Sequence, residues 1–511
     1  AIPQVGMLLC AFPAAQLLAG RARAPTANSK IPAFPPPMAE GGVGEKRRSR
    51  PQTRRRAKSA REDEGDAAAA GPPDIEDFSP HEALKVRASL LRWYDANQRR
   101  LPWRAAGVSG GGEDDRAYAV WVSEVMLQQT QVSTVVGYYN RWMEKWPTVR
   151  HLASASQEEV NDMWAGLGYY RRARFLLEGA KSIVEAGEFP KSPAALRRVR
   201  GIGDYTAGAI ASIAFNEVVP VVDGNVIRVI ARLKAISANP KESTTMKSIW
   251  RLAGKLVDPS RPGDFNQALM ELGATLCSRS SPGCTACPIS DQCDALALSK
   301  KFESVKVTNY PTKVAKAKQR HDFAAVCILE MVEEFDPVAS KANNYQQIMA
   351  NSCQKAFLLV KRPEEGLLAG LWEFPMVILD GREQMDQATR RKAIDQYLKK
   401  SFDLNLRRNC NAILREDVGE YVHIFSHIRL HMYVELLIID LKGGLSTLQN
   451  KEQVTMSWKI VDEDSIQDMG LTSGVRKVYN MMKNFKHQKV TLLPGSAPTK
   501  IKRQRGRVNG L

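Results

Sequence analysis

Several absences narrow the reading before any motif does. The chain of 511 residues has no Asp or Glu before Glu40 and no internal repeat, which removes solenoid and propeller architectures. Its apolar stretch Met7–Gly20 is too short to span a membrane and is broken by Pro13. Cysteines number only 8, and four of them crowd between Cys277 and Cys293. That crowding suits metal ligation and disfavours the disulfide framework of a small secreted domain. Acid is also in short supply: Asp plus Glu total 55 against 73 Lys plus Arg, a formal net charge of +18. A surplus of that size points to an anionic partner, nucleic acid first. Hydrophobic residues make up 44% of the chain, enough to bury a core. At roughly 100–200 residues per domain, two or three domains are expected.

Composition shifts divide the chain into five expected segments. Residues 1–77 are rich in Pro, Ala, Gly and Arg without periodicity and read as disordered. Within them, Lys46–Arg61 holds nine Lys or Arg and no acid, as a nuclear-import signal or nucleic-acid arm does. The acid-poor stretch upstream resembles a mitochondrial transit peptide. The core, 78–293, opens at Ser79-Pro80-His81-Glu82, which has the cap, proline and capping-box glutamate of a helix start. Ser156–Glu159 and Ser192-Pro193 repeat such signals, and the Gly-rich insertion Gly107–Asp115 reads as a surface loop. Residues 294–320 turn Lys-rich and read as a connector. In 321–486 the pattern changes type: Phe323–Met331, Ala356–Val360, Leu371–Phe374 and His431–Ile439 look like strands, Lys392–Lys400 and Gly474–Lys483 like helices. Residues 487–511 read as a basic disordered tail. The expected fold is a mainly α core followed by a smaller α+β domain.

Cys277, Cys284, Cys287 and Cys293 follow C-x6-C-x2-C-x5-C. Four soft thiolates in one loop suit an iron–sulfur cluster or a structural zinc, and the spacing alone leaves both open. Either would act as a scaffold. Upstream, Leu196–Ile210 places two helices around the turn Gly201-Ile202-Gly203. Such a turn lets backbone approach a phosphate, with free N–H groups of the next helix facing it, although many Gly-x-Gly turns are only turns.

Two carboxylates carry chemistry. Asp223, in Val222-Asp223-Gly224-Asn225, precedes an apolar-periodic helix and suits an N-cap; the same donors and the helix dipole keep it ionised. Glu124 lies in a helix with a largely apolar face, Tyr118–Gln131. Facing inward beside Trp121 and Met126, it would be desolvated and hold its proton near neutral pH; facing outward, it would be one more surface acid. A proton donor and an anion together make a glycosidase pair.

Taken in order across roughly 79–293, Trp121–Gln131, Gly166–Tyr170, the hairpin, Val222–Asn225, Phe265–Gln267 and the cysteine loop resemble the MutY family of adenine DNA glycosylases, within the helix-hairpin-helix, endonuclease III superfamily. The resemblance implies a helix-hairpin-helix core with a [4Fe–4S] loop held by the four cysteines. It implies that Glu124 protonates adenine N7, that Asp223, supported by Asn225, stabilises or transiently bonds the sugar C1′, and that Tyr205 positions the reacting groups. Arg104 and Glu271 would face the flipped adenine, Gln129 and Tyr169 would wedge into the duplex, and Gly201 and Gly203 would meet the DNA backbone. Arg200 stands where the family usually has Pro. Bifunctional relatives place a Lys where this chain has Tyr205; Tyr cannot form an imine, so the expected reaction is monofunctional hydrolysis leaving an abasic site for downstream repair proteins.

The second domain resembles a Nudix fold at Gly366–Pro375, but Arg390–Lys399 lacks the glutamates that would hold Mg²⁺. Recognition is then expected, not hydrolysis. By the resemblance, Phe425, Ser426 and His427 would read 8-oxoguanine opposite the adenine; otherwise they are an ordinary strand edge. Mammalian members carry connector cysteines taken as zinc ligands; this chain has none between Cys293 and Cys327, so no connector zinc is expected. No sliding-clamp motif is seen in the tail. The rival readings are an endonuclease III-like pyrimidine glycosylase-lyase and a catalytically inactive damage-binding protein.

Overall fold

Helix-start signals set the architecture of the N-terminal half. The computed structural model describes residues 77–104, 112–312, 318–332, 356–379, 385–406, 408, 410–441, 448 and 456–491, all within one compact unit. The basic run Lys46–Arg61, the acid-poor stretch before it, most of the Gly-rich insertion and the tail after 491 lie outside the described residues. Ser79 caps helix α1 (Pro80–Asn97), its hydroxyl accepting from Glu82 N while Glu82 accepts from Ser79 N at 2.7 Å. A second capping box, Ser156 with Glu159, starts α5 (Gln157–Trp164), and Ser192 before Pro193 starts α7 (Pro193–Leu196). The others are α2 (Glu113–Leu127), α3 (Val132–Lys145), α4 (Val149–Ala153), α6 (Arg171–Ala186), α8 (Asp204–Phe215), α9 (Gly224–Leu233), α10 (Ser243–Leu256), α11 (Pro262–Thr275) and α12 (Asp294–Lys301).

Two apolar cores hold these helices. One gathers Trp121 and Met126 of α2, Trp142 of α3, Trp164 of α5, Leu176 of α6 and Ile210 of α8. The other joins Val86 and Leu90 of α1, Val229 of α9, Leu252 of α10 and Phe265 and Leu272 of α11, with Cys277, Cys287 and Cys293 packed on its edge. Met270 of α11 packs against both cores.

The C-terminal sheet comprises β1 (Arg320–Val332), β2 (Ala356–Lys361), β3 (Trp372–Glu373), β4 (Met376–Leu379), β5 (Cys410–Ile424), β6 (Ile428–Leu441) and β7 (Trp458–Asp462). Its order is β3-β2-β1-β6-β5, with β4 on β1 and β7 on β2. β1 and β6 run parallel, Phe323 opposite His431, while β5 and β6 run antiparallel, Val422 opposite His431. Side chains of β1 alternate between two cores. Ala324, Val326 and Ile328 face Val478 and Tyr479 of α15 (Ser473–Thr491); Ala325, Cys327 and Leu329 face Ile394 and Leu398 of α13 (Gln387–Phe402). Both faces are covered, so β1 reads as a continuous apolar run. A short α14 (Glu463–Asp468) follows β7.

Four expectations change. Glu113–Asp115, read as part of a loop, is the first turn of α2, where three acids meet the positive end of the helix. The stretch read as a connector from 294 begins as α12, with Ala295 fully buried, and Tyr310 O accepts from Arg232 Nε. Asp77, placed in the tail, pairs with Arg251. The C-terminal tail expected from 487 is helical through Thr491.

Candidate active site

Glu124 lies on the inward face of α2 and is 5% exposed. Tyr205, in the first turn of α8, donates its hydroxyl to Glu124 Oε2. Burial pushes the Glu124 carboxyl up to about 7; the Tyr205 hydrogen bond and Arg104 oppose this, and the charge of Asp223 adds to it. Desolvation therefore outweighs the local donors, and the group keeps its proton near neutral pH. The same burial, with two carboxylates nearby, holds the Tyr205 phenol well above its usual range.

Asp223 caps α9. Its Oδ1 accepts from Asn225 N at 2.9 Å and Val226 N at 2.7 Å, and Oδ2 accepts from Asn225 Nδ2 at 2.8 Å. These donors favour the anion, as its N-cap position suggests. Burial is nonetheless the largest influence and leaves its pKa above the ordinary aspartate value. Asn225 is itself held: Arg228 Nη2 donates to its Oδ1 at 2.8 Å and to Gly273 O at 2.6 Å, while Arg228 Nε donates to Cys277 O at 2.8 Å. Gly273 permits this contact, since a Cβ there would lie 2.6 Å from Asn225 Cβ.

Arg104 ends a single 3₁₀ turn (Pro102–Arg104), and its Nη2 donates to Glu271 Oε2 at 2.9 Å. Glu271, on α11, is 1% exposed. It also accepts from Arg99: Nε at 2.5 Å, Nη2 at 2.9 Å and the backbone N at 3.3 Å. Burial raises its pKa, but the two guanidinium groups prevail and hold it below the usual glutamate value. Four donors fill the roughly four acceptor positions of one carboxylate. Arg104 and Glu271 are in direct contact, and Arg99, which carries no motif, shares the same carboxylate.

Gln129 and Tyr169 occupy loops after α2 and before α6. Both are exposed, and both have left-handed backbone, at φ 57° and 50°. Gly201 turns the hairpin at φ +89°, with Phe175 packed where a Cβ would go, and Gly203 caps α8 without a side-chain bond. Arg200, beside this turn, pairs with Glu178 at 2.8 Å.

The four cysteines are partly buried. Desolvation pushes the Cys287 and Cys293 thiols up to about 11, and charge on neighbouring cysteines adds to the shift. Arg232 Nη1 donates to Cys277 Sγ at 3.2 Å and to Ser278 O at 2.7 Å. Among the described residues no group of three or more His, Cys, Asp or Glu closes on a single metal ion. Soft donors that need a cation to shed their protons, set beside a fixed arginine, fit a bound cluster. Phe425, Ser426 and His427 form the turn between β5 and β6. Phe425 leans on the sheet core, Ser426 and His427 are exposed, and Gln319 Nε2 holds Phe425 O at 3.0 Å. Helix α13 carries one acid, Asp395, and Arg415 Nη1 pairs with it at 2.7 Å. Among the described residues no helix is long and apolar enough to cross a membrane.

The chain is similar to known proteins in both of its halves. Residues 122–255 match the HhH-GPD superfamily of base excision DNA repair proteins, and residues 348–481 match the NUDIX domain. An adenine DNA glycosylase of Arabidopsis thaliana is 56% identical over 79% of this chain, which spans 65% of that relative's length. One of Mus musculus is 44% identical over 69% of this chain and 70% of the relative. Among solved structures, a thermostable thymine-DNA glycosylase is 25% identical over 43% of this chain and 98% of its own, with a TM-score of 0.38.

Proposed function

This chain belongs to the adenine DNA glycosylase family, and from that premise we propose that it removes adenine paired with 8-oxoguanine, or with guanine, from duplex DNA. The observation that carries the proposal is the pairing of a carboxyl held protonated, Glu124, with an aspartate capped by three donors, Asp223. Adenine leaves the stack and enters the space between the two helical cores. Glu124 delivers its proton to adenine N7. The C1′–N9 bond breaks with its electron pair going to the base, and Asp223 faces the cationic sugar. Water then adds to C1′ and loses a proton, leaving an abasic site. Tyr205 orients Glu124, and Asn225, held by Arg228, orients Asp223. Arg104 and Glu271 border the base, and Gln129 and Tyr169 fill the gap in the duplex. Gly201 and Gly203 bring N–H groups to a phosphate.

Cys277, Cys284, Cys287 and Cys293 would hold a [4Fe–4S] cluster. Bound there, it would cross-link the loop that Arg232 of α9 already contacts. Ser426 and His427, at an exposed hairpin tip, would read the 8-oxoguanine edge. The run Lys46–Arg61 supports a nuclear address and the acid-poor stretch before it a mitochondrial one.

The test is a glycosylase assay on three duplexes, with adenine opposite 8-oxoguanine, adenine opposite guanine, and thymine glycol opposite adenine. Release of adenine from the first two without strand breakage is expected. Release of thymine glycol with strand breakage points to the lyase reading; binding without release points to an inactive binder.

A further inference from the structure

Arg172, in the first turn of α6, reaches two loops at once. Its Nη1 donates to Val125 O at 2.9 Å, Met126 O at 3.1 Å and Gln128 O at 2.6 Å. Its Nη2 donates to Leu167 O at 3.3 Å and Gly168 O at 3.0 Å. Three acceptors belong to the C-terminal end of α2, where helical carbonyls lack partners. The other two belong to the loop that enters α6. The last carbonyl on each side is that of the residue immediately before Gln129 or Tyr169.

Those two residues share three features. Each is exposed, each has left-handed backbone that a side-chain-bearing residue adopts reluctantly, and each stands at a loop tip. Strained positions of this kind persist only where their surroundings hold them. Here the holding group is one planar guanidinium, sandwiched near the rings of Trp164 and Tyr169, whose centroids lie 5.3 Å and 5.5 Å from its carbon. A helix-capping role alone explains the α2 carbonyls. It leaves unexplained why the same fork also binds Leu167 and Gly168.

We propose that Arg172 is a positioning residue that ties the Gln129 and Tyr169 loops into a single preformed wedge, so that parting the target base pair needs both loops at a fixed spacing. The inference rests on the reading of Gln129 and Tyr169 as the residues that enter the duplex. Burial pulls the guanidinium down to about 10, still charged at neutral pH, so the clamp stays closed across the working range. Lysine cannot replace it, since an ammonium is a point donor and cannot span two loops with a planar fork.

The consequence is selective. A misplaced wedge slows removal of adenine that must first be parted from a partner base, and spares adenine that has none. The full chain with Arg172→Lys, Arg172→Met or Tyr169→Ala is compared with the unaltered protein in single-turnover release. One duplex carries adenine opposite 8-oxoguanine, the other adenine opposite an abasic-site analogue. Circular dichroism confirms folding, and Arg172→Lys carries the test if Arg172→Met does not fold. On the paired duplex Arg172→Lys and Tyr169→Ala should each slow release about tenfold or more, and on the unpaired one by about twofold or less. If Tyr169→Ala is selective but Arg172→Lys slows both duplexes alike, or neither, the clamp is wrong. If Tyr169→Ala shows no selectivity, the wedge reading fails and the clamp with it.

Discussion

The hydroxyl of Tyr205 donates to Oε2 of Glu124, joining the first turn of α8 to the buried face of α2. This bond favours the ionised form of a carboxyl that burial drives toward the neutral one. The proton donor is therefore balanced near neutrality, not locked in either state.

A pH profile follows. Base release needs Glu124 protonated and Asp223 ionised. The single-turnover rate should fall above about pH 7 as Glu124 loses its proton, and fall on the acid side as Asp223 gains one. In Tyr205→Phe the bond that favours the Glu124 carboxylate is gone, so its pKa rises and the alkaline limb moves to higher pH. An unmoved limb would show that another group sets it.

Stability should report the same carboxyl independently of catalysis. Glu124 has a folded pKa of about 7 against an ordinary value of 4.5. Its favourable contribution is complete below 4.5 and is lost as pH rises through about 7, because the folded state keeps a proton that the unfolded chain has released. Glu124→Gln lacks this titration. Thermal melts should show the variant gaining on the unaltered protein as pH rises from 4.5 to about 7, the span of that shift. A difference that stays constant with pH contradicts the assignment.

The fold and the site were unequally legible in the sequence. Capping boxes at Ser79 and Ser156 use contacts between near neighbours, so short motifs announce them. The apolar run of β1 is visible because both faces are covered. Strand β5 was missed: it is the last strand in the sheet order, mostly half-exposed, and mixes charge with a bulge at Gly419. Glu124 and Asp223 could be named, and the effect of burial on an inward Glu124 could be foreseen, but not which way Glu124 faces or how burial weighs against the donors at Asp223. At Asp223 the N-cap donors are outweighed, the reverse of what its position alone suggests. Arg99, Arg172, Arg228 and Arg232 went unread because their partners are mostly carbonyls or carboxylates distant in the chain.

Iron and sulfide analysis tests the cysteine loop. About four of each per chain are expected, with the absorption of a [4Fe–4S] cluster. Cys287→Ser should lose cluster and weaken DNA binding, since Arg232 holds Ser278 O and Arg279 O in the same loop. Stoichiometric zinc without iron in freshly purified protein contradicts the cluster.

Lesion reading is tested by His427→Ala. A base-edge contact is worth about 1–3 kcal/mol, roughly five- to 150-fold. The variant should narrow the affinity ratio between adenine:8-oxoguanine and adenine:guanine duplexes, with little change in release from bound substrate. Salt must be fixed, because a net charge of +18 makes every affinity salt-sensitive. An unchanged ratio removes His427 from recognition.

Tyr205→Lys examines why the expected reaction stops at base release. A lysine amine at this place, beside Glu124, would lie near the sugar carbon and form an imine that borohydride reduces to a covalent adduct. The variant should be trapped on DNA with strand cleavage, and the unaltered protein hardly at all. Efficient trapping of the unaltered protein with a strand break contradicts the monofunctional reading.

The most direct measurement is single-turnover release of adenine from an adenine:8-oxoguanine duplex by the unaltered protein, Glu124→Gln and Asp223→Asn, with DNA binding measured alongside. Each substitution keeps the side chain's shape and removes either the proton donor or the anion. The paired-carboxylate account predicts that both variants bind the duplex and lose about 10²–10⁴-fold in rate. Near-normal release by either one contradicts it.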